Sequence, residues 1–297
     1  MTAMKFTKMH GCGNDYIVVD SMREGYEHES ELAKMVCTRC FGIGADGMIF
    51  VKKSGDADFL MDVYKSNGSI GEMCGNSVRC LGKYVYDNHL TNKTDITVST
   101  PTGIRFLKLF PGKFGMIEKV KVDMGSPDFT ASKVPVIFPK NKLIDEPLEI
   151  NGIIYHATCL SLGNPHCIVF MEKNINRLNI EKIGSDFEKH PSFPKGTNVE
   201  FVHIIDREHM FVRTWERGIG ETMACSTGAC AAVAAAVSLN LTENAVEAGF
   251  SGGKVRISYD DSENKLFMMG PVEMVFKGDI DISPDEVSEN DVKIYKI

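Results

Sequence analysis

The chain lacks several features that would place it in a specialised class of protein. Its 297 residues carry a net charge of −7 and one tryptophan, and no apolar run approaches the roughly 20 residues needed to cross a bilayer. The start, Met1-Thr2-Ala3-Met4-Lys5, has no apolar segment of the kind that directs export. We therefore expect a cytoplasmic protein that binds neither membrane nor nucleic acid, since nucleic-acid binding favours basic surfaces.

A metal-site pattern is also lacking. Nine cysteines in a chain without an export signal are typical of cytosolic thiols rather than of a disulfide framework. Cys37 and Cys40 have the spacing of a zinc-ligand pair, but no second pair and no suitably spaced histidines follow nearby. We interpret them as two thiols on a helix end and on the loop after it, and we expect no metal site.

The sequence does contain a long-range internal repeat. Glu72-Met73-Cys74-Gly75-Asn76-Ser77 opens one helical pattern, and Met223-Ala224-Cys225-Ser226-Thr227-Gly228 opens another 151 residues later. Gly13-Asn14 recurs as Gly163-Asn164 after 150 residues, each followed by an apolar run. So steady an offset indicates a duplicated domain.

Chain length and pattern predict the fold class. The chain is long enough for two domains of roughly 150 residues. Many short β-prone segments with one central helix in each half predict the α+β class, with two pseudo-symmetric barrel-like domains, each a β-sheet wrapped around its helix. We place the domains at residues 1–127 and 128–271, because the prolines between residues 127 and 139 mark irregular chain.

Individual elements follow from alternation and helical spacing. Predicted strands are Lys5–Met9, Tyr16–Asp20, Met48–Lys52, Phe59–Tyr64, Ile96–Thr100, Ile104–Phe110, Thr158–Leu162, Cys167–Met171, Val199–Ile204, Phe211–Trp215, Val255–Tyr259, Leu266–Met269 and Val272–Phe276. Predicted helices are Ser30–Thr38, a helix from Cys74 to near Asn88, and Gly228–Leu239. The last helix has alanine on every side, which indicates close packing all round.

Cys74 and Cys225 stand apart from the other cysteines because each precedes a predicted helix. Backbone N–H groups at a helix start have no partner within the helix, and they stabilise a nearby anion by about 0.3–1 kcal/mol, or ~2 when partly buried. Each thiol is thereby poised for proton transfer near neutral pH. Two such thiols on opposite sides of one cleft can remove a proton from one face of a carbon and deliver one to the other.

The residues after each cysteine supply an anion site. The amides of Gly75-Asn76 and Ser226-Thr227 can receive a carboxylate. A substrate carboxylate held there is stabilised further when the adjacent carbon loses its proton, because the developing charge spreads onto it. This offers a way to deprotonate an amino acid without pyridoxal phosphate, so we expect no cofactor.

Polar residues at matching positions add binding groups. Asn14 and Asn164 head the repeated segments, while nine residues before each cysteine the halves diverge to Lys65 and Glu216. Glu216 with Arg217 suits a zwitterion, since the carboxylate takes an ammonium and the guanidinium takes a carboxylate as a fork. The alternative for Glu216 and Arg217 is a surface ion pair.

Taken together, these motifs resemble the diaminopimelate epimerase family of cofactor-independent racemases. The matching stretches cover nearly the whole chain in order: His10-Gly11-Cys12-Gly13-Asn14-Asp15-Tyr16, Gly42-Ile43-Gly44-Ala45-Asp46-Gly47, Met73-Cys74-Gly75-Asn76, Gly163-Asn164-Pro165-His166, Thr197-Asn198-Val199 and Trp215 through Cys230. Each motif alone is weak, whereas the set is highly specific.

The resemblance implies roles for named residues. It implies that Cys74 and Cys225 are the acid–base pair, that His166 and Glu216 tune their ionisation, and that residues 272–297 return to the first domain. It implies a small amino-acid substrate and a homodimer. The substrate contacts it implies are Asn14, Gly47, Lys65, Gly75, Asn76, Asn164, Asn198, Glu216, Arg217, Ser226 and Thr227.

The sequence departs from the family pattern at three positions. Lys65 replaces the usual asparagine that contacts the distal end of the substrate, Ser226 replaces a usual glycine, and Gly47 stands where some members have glutamine. Lys65 can bind a distal carboxylate or pair with Glu216, but it would repel a distal ammonium. A racemase of another amino acid, such as histidine, is therefore an alternative. A thiol redox sensor is an alternative of a different class, although no catalytic Cys-x-x-Cys pattern or resolving-cysteine spacing favours it.

Overall fold

A computed structural model describes residues 2–23, 25–71, 74–172 and 175–282. Its packing divides the chain into two compact units, Met1–Val122 with Pro271–Ile297, and Asp123–Gly270. The predicted boundaries were 127/128 and 271/272. The predicted repeat residues Glu72 and Met73, and residues 283–297 of the predicted returning segment, lie outside the described residues.

The first unit is built from strands and two helices. Its elements up to the boundary are β1 (Thr2–Gly11), β2 (Asn14–Asp20), α1 (Glu29–Cys37), β3 (Gly47–Lys52), β4 (Phe59–Lys65), α2 (Gly75–Asp87), β5 (Asp95–Thr100), β6 (Gly103–Pro111) and β7 (Ile117–Gly125), whose last residues pass into the second unit.

The second unit repeats this composition, and the chain then returns to the first. The elements are β8 (Glu146–Ile150), β9 (Ile153–Ser161), β10 (Pro165–Phe170), a 3-10 turn (Ile175–Arg177), α3 (Ile180–Glu188), β11 (Asn198–Asp206), β12 (His209–Glu216), β13 (Gly220–Thr222), α4 (Ser226–Ser238), β14 (Ala245–Phe250), β15 (Gly253–Asp260), β16 (Lys265–Pro271) and, in the first unit, β17 (Glu273–Ile282).

Strand pairing follows the same plan in each unit. In the first, β17 pairs with β1, and the order continues through β2, β3, β4, β5, β6 and β7, with parallel pairs only at β2–β3 and β4–β5 among the described residues. In the second, β8 pairs with β9, and β10, β11, β12, β14 and β15 follow to β16, with parallel pairs only at β10–β11 and β12–β14 within the described part. The internal repeat of the sequence is therefore a repeat of topology.

Each sheet curves around one buried helix. Strands β1, β2, β3, β4 and β6 contact α2, and β9, β10, β11, β12 and β15 contact α4. Residues 75–85 of α2 and 226–236 of α4 are all buried. Burial on every side explains why α4 is built from alanine, since larger side chains would not fit between the helix and the strands around it.

The predicted α+β class is confirmed, and the predicted strands and helices are present. Strands β7, β8, β13 and β14 and helix α3 were not predicted, although Ile180, Ile183 and Phe187 do give α3 an apolar face in the core of the second unit. The strand predicted at Val272–Phe276 runs on to Ile282, because it pairs with β1 over its whole length. No helix among the described residues is long and apolar enough to cross a membrane.

Candidate active site

Cys74 occupies the N-cap of α2, where the chain turns from an extended conformation into the helix. Its backbone angles are φ −119° and ψ 137°, and the Asn76 backbone N–H donates to its Sγ atom at 3.4 Å. The N-cap position leaves the thiol half-buried at the positive end of the helix dipole. The sequence prediction of a helix-entry thiol is confirmed here.

Amide groups surround the Cys74 thiol. The side-chain oxygen of Asn14 lies 3.9 Å from Sγ of Cys74 and accepts from Asn76 Nδ2 at 3.3 Å and from the Tyr16 hydroxyl at 2.6 Å. The Asn14 amide donates in turn to Asp46 Oδ2 at 2.7 Å. Asn14, Cys74 and Asn76 are thus brought together, and Asn14 is fixed at both ends.

A charged cluster supports this loop from behind. Lys8 lies 2.6 Å from Asp15, and Arg39 bridges Asp15 and Asp46 at 2.7 and 2.8 Å. Burial opposes ionisation of Asp15, but the hydrogen bonds and charges of Arg39 and Lys8 outweigh it and lower its pKa to about 2. Asp15 therefore remains a carboxylate and keeps the loop that carries Asn14 in place.

Arg79 lies beneath the first turn of α2 and is fully buried. Its guanidinium donates to Asn76 Oδ1 at 2.9 Å and to the backbone oxygens of Gly75 at 3.3 Å and Pro271 at 3.2 Å. A Cβ atom on Gly11 would lie 2.7 Å from the guanidinium, so glycine leaves room for it. Arg79 was not predicted as a site residue, although its distance of three and four residues from Asn76 and Gly75 places all three on one helix face.

Cys225 holds the equivalent N-cap of α4. Its backbone is extended, at φ −112° and ψ 111°, and the Gly228 backbone N–H donates to Sγ at 3.3 Å. The Thr227 hydroxyl lies 3.5 Å from Sγ. Cys225 is buried, as are Ser226 and Thr227 in the first turn, so the second predicted helix-entry thiol is also confirmed.

A chain of polar side chains leads away from Thr227. Asn164 Nδ2 donates to the Thr227 hydroxyl at 3.3 Å, and Asn164 Oδ1 lies 3.0 Å from His166 Nε2. His166 Nδ1 lies 2.9 Å from Glu200 Oε1, and both side chains are fully buried. The structure therefore brings the predicted residues Asn164, His166, Thr227 and Cys225 into one network.

Glu200 was not predicted as a site residue. Its Oε2 atom is buried and has no hydrogen-bond partner, and a Cβ atom on Gly228 would lie 2.5 Å from Oε1. The carboxyl group thus presses against the first turn of α4. The available signal was a glutamate inside the apolar run Val199-Glu200-Phe201-Val202, which is costly unless the carboxyl group has a buried partner.

Asn198, Glu216 and Arg217 lie at the ends of neighbouring strands. Asn198 opens β11, donates to the Pro165 oxygen at 3.0 Å and accepts from the Arg217 backbone N–H at 2.9 Å. Glu216 closes β12 and accepts from the Thr222 hydroxyl at 2.6 Å. Because Met210, Val212 and Thr214 alternate toward the core, Glu216 lies on the same sheet face as α4.

Lys65 and Gly47 occupy the corresponding strand ends of the first unit. Gly47 opens β3 directly opposite Lys65, the last residue of β4. A Cβ atom on Gly47 would lie 2.6 Å from the Tyr64 backbone oxygen, so the close approach of the two strands requires glycine. Among the described residues, the Lys65 side chain has no hydrogen bond to Asn14, Cys74 or Asn76, and Gly47 pairs with Tyr16 only through the backbone ladder of β2 and β3.

Six of the other seven cysteines are buried, and Cys40 is exposed. Cys80 and Cys230 lie inside the two helices, and Cys12, Cys159 and Cys167 are buried. Burial raises the pKa of Cys80 to about 12, and hydrogen bonding to Cys159 together with burial raises that of Cys167. Cys37 ends α1 and Cys40 lies in the loop after it, as predicted. The described ranges contain no group of three His, Cys, Asp or Glu side chains arranged to hold a metal ion.

Known proteins resemble this chain along nearly its whole length. The family model of diaminopimelate epimerase matches residues 6–130 and 158–275. The chain belongs to the diaminopimelate epimerase family. The diaminopimelate epimerase of Methanococcus maripaludis strain C5 is 46% identical over 279 residues, which are 94% of this chain and 100% of that protein. That of Acetivibrio thermocellus is 46% identical over 280 residues, 94% and 99% of the two chains.

Solved structures of other proteins have the same fold. A hydroxyproline epimerase from Agrobacterium vitis, with bound trans-4-OH-L-proline, superposes with a TM-score of 0.71 at 12% identity over 98% of this chain and 96% of that one. A phenazine biosynthesis protein of the PhzF family from Bacillus anthracis gives a TM-score of 0.65 at 18% identity over 95% and 100%. As a member of the diaminopimelate epimerase family, the chain is an isomerase of the amino-acid racemase and epimerase class.

Proposed function

We propose that this family member interconverts LL- and meso-2,6-diaminopimelate by a two-cysteine acid–base mechanism without pyridoxal phosphate, in the supply of lysine and peptidoglycan precursors. One observation carries the mechanism. Cys74 and Cys225 are the N-caps of two helices that occupy the same place in two units of one topology. The family match and the names of the relatives support the substrate.

The reaction needs one thiolate and one thiol. The thiolate takes the α-hydrogen as a proton, and the electron pair left on the α-carbon spreads into the adjacent carboxylate. The other thiol then gives its proton to the opposite face of the carbon and becomes the thiolate. One S–H bond forms and one breaks, so charge and protons balance while the configuration inverts. The reverse reaction exchanges the roles of Cys74 and Cys225.

The N-termini of α2 and α4 stabilise the carbanion. The backbone amides at the starts of α2 and α4 face an anion favourably because the helix dipole is positive there. The residues that would hold the reacting carboxylate are Gly75, Asn76, Ser226 and Thr227. Charge that develops on the carboxylate during proton removal strengthens these hydrogen bonds, which is how they accelerate the step.

Residues at the strand ends are assigned to the rest of the substrate. Diaminopimelate carries a second ammonium and a second carboxylate at its distal end. Glu216 suits the ammonium, while Arg217 and Lys65 suit the carboxylate. Asn14, Gly47, Asn164 and Asn198 complete the assignment, and His166 with Glu216 tunes the thiols. We further assign the two units to two domains of a homodimer subunit.

Lys65 gives a reason to test a second substrate class. If Lys65 pairs with Glu216 rather than with a distal carboxylate, the grip on a distal ammonium weakens, and a racemase of another amino acid such as histidine is favoured. The test is the specificity constant for LL-diaminopimelate beside histidine, lysine and ornithine. We expect diaminopimelate to exceed the others by orders of magnitude. A preference for histidine by the same margin would overturn the substrate assignment and leave the two-thiol chemistry standing.

A further inference from the structure

The two thiols share their helix position but not their electrostatic surroundings. Each Sγ atom accepts one backbone N–H from its own first turn, from Asn76 at 3.4 Å and from Gly228 at 3.3 Å. The helix starts therefore favour both thiolates to a similar degree. Any preference for ionising one of them must come from side chains, and those differ at equivalent positions of the two units.

The first difference is Arg79. Its guanidinium bonds to Gly75 and Asn76, the two residues that follow Cys74, and is fully buried. An arginine stays protonated in proteins, so a fixed positive charge lies under the start of α2. The equivalent position of α4, 151 residues later, is Cys230, a buried neutral thiol.

The second difference is Glu200, which presses against the first turn of α4. Its partner is His166, and a carboxylate balances any proton that the imidazole holds, so the pair brings no net positive charge to Cys225. The equivalent position in the first unit is Ile49, which is buried and uncharged. A cation therefore lies beside the first turn of α2, whereas an acidic group lies beside the first turn of α4.

Strand ends repeat this difference. Lys65 ends β4 on the sheet face that carries the buried residues Phe59, Met61 and Val63, the face toward α2. Glu216 ends β12 on the face toward α4 and is followed by Arg217. Cys12, Cys80 and Cys167 add no charge, because burial is the first or a major cause that raises each pKa.

Most other charged groups on the strands around the helices are held in ion pairs. In the first unit these are Lys8–Asp15, Arg39–Asp46, Lys52–Asp62 and Lys108–Asp95, with Arg105 bonded to Thr102. In the second they are Arg213–Glu221, His209–Asp206, Lys254–Glu247 and His156–Asp145, with His203 at the Met171 oxygen and Arg256 exposed.

Neutral hydrogen bonds do not reverse the preference. The Asn14 oxygen at 3.9 Å from Cys74 already accepts two shorter bonds, and the Thr227 hydroxyl beside Cys225 can act as donor or acceptor. A nearby opposite charge lowers a pKa by about 1–3 units, and one neutral hydrogen bond does less. The charges therefore decide which thiol ionises first.

We propose that Cys74 is the thiolate and Cys225 the thiol of the substrate-free enzyme, and that Arg79 is the positioning residue that holds Asn76 and supplies the charge for Cys74. The catalytic role that this inference gives to Cys74 rests on the proposed function. It assigns the first proton abstraction to Cys74, and it adds Arg79 to the machinery.

The test is the pH dependence of alkylation at each thiol. The full-length enzyme without substrate is treated with iodoacetamide between pH 5 and pH 10 (about the range in which thiols titrate), and labelling of the Cys74 and Cys225 peptides is followed by mass spectrometry. We expect the Cys74 midpoint to lie at least about one pH unit below that of Cys225. Midpoints that coincide, or that fall in the opposite order, would overturn the proposal.

Variants assign the effect to the charge of Arg79. R79M should raise the Cys74 midpoint by about one pH unit and leave that of Cys225 in place, whereas R79K, which keeps the charge, should stay closer to wild type. The matched control is K83M, which removes the next buried cation of α2, paired with Asp87 at 2.8 Å one turn further along. If K83M shifts the Cys74 midpoint as much as R79M does, the charge of Arg79 is not the cause.

These midpoints are measured without turnover, so the two proposals fail separately. If wild-type enzyme exchanges no α-hydrogen of any amino acid while the midpoints keep the expected order, the proposed function is wrong and the charge assignment is right. If exchange is normal and the order is reversed, the function stands and the assignment falls.

Discussion

The surroundings of the two helix-start thiols differ far more than the two units do. In the first unit Cys74 is bordered by Asn14 and Asn76, with Arg79 beneath. In the second, Cys225 is bordered by the Thr227 hydroxyl and by a chain that ends in a buried imidazole and carboxylate. The order and pairing of the other strands are nonetheless the same in both units, and the short strand β13, paired with β12, is an addition in the second.

This comparison shows which features of the duplicated fold are kept in both units. Tyr16 stands opposite Gly47 in the first unit as His166 stands opposite Asn198 in the second, so the backbone register is kept while the side chains change. Backbone hydrogen bonds and the space around the central helix fix the scaffold, whereas polar groups beside the thiols were free to diverge. Two copies of one fold thereby provide two acid–base groups with different environments.

The most damaging change removes either thiol. We expect Cys74→Ala and Cys225→Ala each to lower the rate of epimerisation by about 10³-fold or more, because a positioned proton-transfer group contributes up to roughly 10⁴-fold. Cys80→Ala and Cys230→Ala, which change buried thiols one to two turns into the same helices, are the matched controls and should retain most of the activity. A wild-type rate from either helix-start variant would remove that cysteine from the mechanism.

Glu200 has no charged counterpart in the first unit, so its removal should affect the second. Glu200→Ala should lower the free energy of unfolding by about 3 kcal/mol, because it leaves a buried imidazole without its partner. Glu200→Gln, which keeps a hydrogen-bonding group, should cost less. Trp215, the single tryptophan, lies in the second unit, so its fluorescence during urea unfolding is the measurement. Equal stability of Glu200→Ala and wild type would contradict the assignment.

The corresponding test in the first unit is a substitution of Asp15. The equivalent position of the second unit, 165, is a proline. The Asp15 pKa of about 2 lies below the ordinary 3.8, so its stabilising effect is present above about pH 4 and is lost as the pH falls toward 2. Asp15→Asn should therefore cost about 2 kcal/mol of unfolding free energy at pH 7. The difference in unfolding free energy between Asp15→Asn and wild type should shrink as the pH falls from about 4 to about 2. Urea unfolding monitored by circular dichroism at several pH values measures this difference. A difference independent of pH would show that the charge is not responsible.

The smallest expected effect is that of replacing Lys65, which occupies the position equivalent to Glu216. Lys65→Asn should raise KM for LL-diaminopimelate by up to about fivefold, the size of an ion pair open to solvent, with kcat nearly unchanged. Steady-state kinetics checks this. A large loss of kcat with unchanged KM would place Lys65 at the reacting carbon instead of at the distal end.

Sequence patterns predicted the scaffold and the thiols for physical reasons. A cysteine followed by small or hydrogen-bonding residues marks a helix start, and alternation of apolar and polar residues marks a half-buried strand. The positions of Cys74, Cys225 and most strands could therefore be predicted from the sequence. Helix α3 was not predicted, because its nine residues present only a short apolar face, formed by Ile180, Ile183 and Phe187. Strand β14 was missed because Ala245–Phe250 alternates weakly.

The buried polar groups could not be predicted in the same way. A single sequence does not reveal that Arg79 turns inward, since an arginine on a helix is ordinarily solvated. The partnership of Glu200 with His166 depends on the parallel pairing of β10 with β11, a contact between residues 34 positions apart. The pairing register of strands distant in the sequence therefore determines the part of the site that local sequence patterns do not predict.

The central claim is that two thiols act on opposite faces of one α-carbon, and isotope incorporation tests it most directly. Wild-type enzyme is mixed with LL-diaminopimelate in D₂O, and substrate and product are separated early in the reaction and examined by NMR. The account predicts that the meso product carries one solvent deuterium at the inverted carbon while the remaining LL substrate carries little, because the thiol that reprotonates the carbanion exchanged with solvent and is not the group that took the hydrogen. A product that keeps its original α-hydrogen would contradict the two-thiol mechanism.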